Sequence, residues 1–83
     1  PVCEYLISMC EIYQKKNDNQ KALNYAQRSL SLAEQYNLKE QISVANLKLS
    51  GFYEKSSEPY QALNHYKDYV LYRDSVRTID SVQ

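Results

Sequence analysis

Apolar residues return along this chain at intervals of three and four, the period of one face of an α-helix. Val2, Leu6, Met9 and Tyr13 step by four, three and four, and predict a first helix. The polar run Asn17-Asp18-Asn19 ends it, and the Asp18 carboxylate is placed to cap a second helix. That helix carries a narrow stripe of small residues, Ala22, Ala26, Ser29 or Leu30, and Ala33, over which another helix can come close. It is expected to stop near Tyr36-Asn37, because asparagine tolerates the left-handed conformation that ends helices, with Leu38 folding back beyond the cap. A third helix places Ile42, Ala45, Leu49 and Phe52 at three-four-three spacing, and Val44 and Leu47 form a second strip beside them, so neighbours are expected on two sides. Ser56-Ser57-Glu58-Pro59 is the next break. Pro59 belongs in the first turn of a fourth helix, where a missing N–H costs nothing, and that helix is expected to run to at least Val76.

The phrases KALNYAQRSL at 21–30 and QALNHYKDYV at 61–70 lie forty residues apart. A shift of forty also matches Tyr13 to Tyr53, Lys15 to Lys55, Ala22 to Ala62, Leu23 to Leu63 and Asn24 to Asn64. Self-similarity at such a period signals stacked units, each too small to bury its own apolar face. These residues resemble the tetratricopeptide repeat family, whose 34-residue pattern puts a small residue at the eighth position, Tyr at the eleventh and Ala at the twentieth. Counting back from Ala22 places Leu6, Met9, Cys10 and Tyr13 at the fourth, seventh, eighth and eleventh positions; counting back from Ala62 places Asn46, Leu49, Ser50 and Tyr53 there. The chain departs from the pattern where Cys10 and Ser50 replace the usual glycine, where Asn46 replaces a large apolar residue, and in six extra residues per period. The longer period is similar to the extended-helix repeats of bacterial regulators. ALNHYKDYVLYRDSV, residues 62–76, resembles the last repeat before the signalling helix of bacterial multidomain sensor kinases and transcriptional regulators.

The resemblance implies an all-α fold: a single domain over 1–83, with repeat one at about 3–37 and repeat two at about 39–78, as two antiparallel hairpins in a short right-handed α-solenoid. It implies a scaffold for a peptide or partner protein and not an enzyme. The groove positions of the family fall on Glu4, Ile7, Glu11, Gln14 and Lys15 in repeat one, and on Val44, Leu47, Gly51, Glu54 and Lys55 in repeat two. Members that clamp a peptide carboxylate do so with Lys and Asn; here Ile7, Glu11 and Lys48 stand at those positions, and Glu11 would repel a carboxylate. A second surface is expected on the fourth helix. Tyr69, Tyr72, Val76 and Ile79 continue at three-four-three spacing, with Gln83 beyond, and make a seam for a following helix, a neighbouring domain or a second copy.

Composition narrows the ligand. Ten basic and ten acidic side chains cancel, so no long-range field steers nucleic acid or an anionic membrane surface towards the protein. The apolar runs are too short to span a bilayer, so no direct membrane contact is expected. One glycine cannot make a phosphate-cradling loop, and no acid/base constellation forms around His65, so neither a cofactor nor catalysis is expected. Cys3 and Cys10 would lie about 10.5 Å apart along one helix, beyond disulfide reach. Two thiols and a distant histidine fall short of a zinc site, so both cysteines read as small buried hydrophobes. Free thiols favour a reducing compartment, hence the cytoplasm, or the periplasm if the chain is part of a membrane sensor. The start at Pro1 is expected of a segment of something longer. Among the nine tyrosines, Tyr5, Tyr13, Tyr53, Tyr66 and Tyr69 are expected to pack between helices and Tyr25, Tyr60 and Tyr72 to reach the surface. Gly51, inside a helix, has two readings: close packing, or room on a binding face.

Overall fold

A computed structural model describes the backbone of residues 2–82 and the side chains of residues 2–75. Four helices account for the secondary structure of the described residues: α1 (Val2–Lys15), α2 (Asn19–Gln35), α3 (Lys39–Lys55) and α4 (Pro59–Val82). α1 packs on α2, α2 on α3 and α3 on α4, with a small further contact between α1 and α3. Three-residue turns join the helices, so sequential partners must run antiparallel.

One turn geometry is used three times. Asn17, Asn37 and Ser57 hold φ of 61°, 52° and 61°. At each, the N–H of the following residue reaches back five positions, from Asp18 to Tyr13, Leu38 to Ala33 and Glu58 to Tyr53, at 2.9 Å in every case. A second bond reaches back three positions, as in Asn17 to Gln14. This pair of bonds satisfies the last carbonyls of the outgoing helix, and the left-handed residue makes it possible. The residue after it then accepts the first bond of the next helix: Asp18 from Ala22, Leu38 from Ile42, Glu58 from Ala62. Asp18 adds the expected cap, its carboxylate accepting from the Lys21 N–H at 3.2 Å.

Finer contacts also recur at a shift of forty. Tyr13 stacks on Tyr25 with ring centres 5.6 Å apart, and Tyr53 stacks on His65 at 5.4 Å. The Cys3 thiol points to the Ser29 carbonyl, and the Ser43 hydroxyl donates to the carbonyl of Tyr69. Ser29 returns a bond to the Cys3 carbonyl. Cys10 and Ser50 are both buried, and the Ser50 hydroxyl donates to the Ala62 carbonyl at 2.9 Å. Small side chains at these positions let the helix backbones of each hairpin come within reach of one hydroxyl.

The core is divided in two. Cys10, Ala22, Ala26, Leu49 and Phe52 form one cluster, flanked by Tyr13, Leu23, Tyr25, Leu30 and Tyr53. Cys3, Ala33 and Ile42 form the other, with Leu30, Leu32 and Tyr72 against it. α3 joins both and is buried on two sides, as its double apolar strip predicts. Asn46, where an apolar residue is expected, is also buried. Its Nδ2 donates to the Ile42 carbonyl at 2.9 Å, so its Oδ1 faces His65 Nδ1 at 2.8 Å, and that ring nitrogen must carry the proton.

Several sequence expectations need correction. The buried line of α1 is Cys3, Leu6, Ile7 and Cys10, whereas Val2 is exposed. Tyr5 and Tyr66 are exposed and not packed between helices, because no helix lies over those faces of α1 and α4. Tyr25 and Tyr72, expected at the surface, are half-buried and pack against the two core clusters. Gly51 does not serve close packing: nothing lies within 4 Å of where its Cβ would be.

Candidate partner-binding site

The groove positions are spaced so that each set shares one face of its helix, and the connecting turns put α1 and α3 side by side. On α1, Glu4, Glu11 and Lys15 are exposed and Gln14 is half-buried. Ile7 is a correction: it is buried and offers nothing to a ligand. On α3, Leu47, Gly51, Glu54 and Lys55 are exposed and Val44 is half-buried.

One charge pair on this surface links the two helices. Lys48 Nζ lies 3.1 Å from Glu11 Oε2, a salt bridge from α3 to α1. Helical spacing alone puts Lys15 within reach of Glu11, but the structure gives Glu11 to Lys48 across the helix gap. An exposed pair of this kind contributes about 0–1 kcal/mol. Its larger effect is on specificity, since Lys48 is already neutralised towards a ligand carboxylate, while Lys15 and Lys55 remain exposed. The field of the same pair reaches Cys10, whose thiol is pushed up by burial, drawn down by Lys48 and pushed up by Glu11. Cys10 is therefore a protonated, unreactive thiol at neutral pH.

The remaining groove residues diverge. Lys55 lines a depression of about 300 Å³ with Leu23, Phe52, Tyr53 and Glu58, at the junction of α2, α3 and the last turn. Glu54 lines another of similar size with Ser50, Ala62, Leu63 and Tyr66, between α3 and α4. A depression of about 690 Å³ lies elsewhere, over α1 and α2, lined by Val2, Leu6 and Leu32 and by polar residues that include Arg28. The strip from Leu47 through Gly51 to Glu54 and Lys55 thus remains as one open ridge, flanked by two shallow depressions.

On α4, Tyr69 and Tyr72 are half-buried against their own chain, and Ser43 bonds to the Tyr69 backbone. The expected seam therefore faces inward over that stretch, and Val76 and Ile79 lie outside the described side chains. Among the described residues of α4, the large apolar side chains that are exposed are instead Tyr60, Leu63, Tyr66 and Leu71. Sequence reasoning also missed the Asn46–His65 pair; the signal was a polar residue in the apolar line of α3.

Among the described residues no group of three or more His, Cys, Asp or Glu is placed to hold a metal ion. No helix of the described residues is long and apolar enough to cross a membrane. Comparison with family models, with curated proteins and with solved structures finds no significant match.

Proposed function

We propose that this chain is a pair of tetratricopeptide-like units in a short right-handed α-solenoid, and that it holds a peptide or partner protein along the face shared by α1 and α3. The reading is of a binding module and not of a catalyst. The helix order, the repeated turn and the contacts that recur after forty residues support it.

The observation that carries the binding site is Gly51. A glycine inside a helix costs about 1 kcal/mol against alanine. No contact within the chain requires it, since its Cβ would meet open space. It sits between Leu47 and Glu54 on the exposed ridge, where a missing side chain lets a ligand backbone approach the helix. Leu47 supplies apolar contact beside it, and Glu54 and Lys55 supply charge of both signs.

A random-peptide display selection on the parent, repeated with Gly51→Leu and Leu47→Asp, tests this. Both variants should keep their helicity and lose the selected peptides by at least tenfold. Gly51→Ala should raise the melting temperature while weakening peptide binding. Peptides that bind both blocked variants as well as the parent would place the site elsewhere.

The second reading is a regulatory module of a bacterial signalling protein that docks to adjacent domains or self-associates through α4. The exposed apolar residues of that helix favour it.

A further inference from the structure

Two exposed apolar faces among the described residues match the two halves of the molecule's own interior interface. Inside, α2 presents Leu23, Ala26 and Leu30 to α3, which answers with Ile42, Leu49 and Phe52 from the two core clusters and with the buried Ala45. Adding forty to the α2 positions gives Leu63, Tyr66 and Val70 on α4. Leu63 and Tyr66 are 52% and 47% exposed, and Val70 is half-buried. Subtracting forty from the α3 positions gives Val2, Tyr5, Met9 and Ile12 on α1. Val2, Tyr5 and Ile12 are 61%, 59% and 44% exposed, and Met9 is half-buried.

The hairpins carry the same turn and the same stacked ring pair at this shift, so the correspondence is one of position as well as of numbering. Each face lacks the partner that its counterpart has inside the molecule, and each is the kind of partner the other lacks. The depression of about 690 Å³ over Val2, Leu6 and Leu32 adjoins the α1 face and gives a neighbouring helix room to seat.

We propose that copies of this chain stack head to tail, with the Leu63–Tyr66–Val70 face of one α4 docking on the Val2–Tyr5–Met9–Ile12 face of the next α1. The two surfaces differ, so the contact is heterologous and repeats beyond a dimer, as a filament or as a ring if the rotation closes. Tyr66 and Tyr5 correspond to the buried Ala26 and Ala45, so the helices of adjoining copies sit farther apart than α2 and α3 do. The net charge of zero removes the long-range repulsion that would oppose stacking. The seam adjoins the ridge around Gly51 at Glu54, which lines one depression with Leu63 and Tyr66, and it does not depend on that site being a ligand site.

Sedimentation velocity on the 83-residue chain, from micromolar to hundreds of micromolar, reads the outcome together with Tyr5→Glu and Leu63→Glu. Both positions are exposed, so helical dichroism should be unchanged. Ile12→Glu and Tyr66→Glu replace them if either unfolds. The parent should grow past two protomers with concentration. Each variant alone should stay monomeric. An equimolar mixture of the two should form a one-to-one dimer and stop, because one variant keeps its α4 face and the other its α1 face. A parent that is monomeric throughout overturns the proposal. So does either variant dimerising alone, which would mean a symmetric contact.

Discussion

Ser57 occupies a left-handed position that its residue type does not favour, with φ 61° between α3 and α4. Asn17 and Asn37 hold the same place in the other two turns, and asparagine tolerates it better. For a residue with a Cβ this region costs roughly 1–2 kcal/mol, most of which glycine avoids. Glycine gives back about 0.5–1 kcal/mol through the greater freedom of the unfolded chain. Ser57→Gly should therefore stabilise the protein by about 0.5–1 kcal/mol, or about 2–8 °C in Tm for a domain of this size. Ser57 is exposed, so no packing loss offsets the gain. Ser57→Asn should gain less, Ser57→Ala should be close to neutral, and Ser57→Val should lose at least about 1 kcal/mol. Urea and thermal unfolding followed by far-ultraviolet dichroism measure the series. Asn17→Gly and Asn37→Gly are the internal controls and should change little. A Ser57→Gly variant no more stable than Ser57→Ala would show that the backbone at this turn carries no strain, and the argument from dihedral angle would fail.

Two further outcomes follow from buried groups. Asn46→Ala removes the partner of His65 and leaves a void, and should cost about 2–3 kcal/mol in urea unfolding. Replacing both partners, as Asn46→Leu with His65→Phe, should recover most of that loss, and a double variant no better than Asn46→Ala would mean the hydrogen bond is not what the pair contributes. Burial raises the Cys10 thiol above its ordinary value. The unfolded chain thus releases this proton first, so the contribution of Cys10 to stability is intact below about pH 9 and is lost as pH climbs through the folded value. The difference in stability between parent and Cys10→Ala should shift against the parent over that alkaline range, and a constant difference would refute it.

The helix boundaries were legible because capping is local chemistry. Asn17-Asp18, Tyr36-Asn37 and Ser56 to Pro59 carry residues that suit a left-handed cap, a carboxylate cap or a first-turn proline, and the helices change there. The small residues Cys10 and Ser50 were read correctly as sites of close helix contact. Which apolar faces would be covered was not legible. The size of their rings suits Tyr5 and Tyr66 to the space between helices, but whether a helix lies over them depends on where that helix sits in the stack. The pairing of Glu11 with Lys48 and of Asn46 with His65 likewise depends on distances between helices that no spacing along one helix reveals. The site is less legible than the fold for the same reason: of ten groove positions, Ile7 is consumed by packing, and only the shape around Gly51 separates a usable ridge from solvated surface.

α3 touches every other helix, and this sets how the molecule comes apart. Losing α1 or α4 leaves three helices with mutual contacts, whereas losing α3 leaves α4 with no docking partner and α1–α2 as an isolated hairpin. Hydrogen exchange should accordingly divide into two classes: amides of α3 that exchange only through opening of the whole domain, and amides of the outer helices that exchange through smaller openings at lower free energy. A processive unfoldase drawing the chain in from the C-terminal end would peel α4 and then meet α3 at once, whereas from the N-terminal end it would have to draw in α1 and α2 first. The length of chain taken up before the central helix resists therefore differs between the two ends.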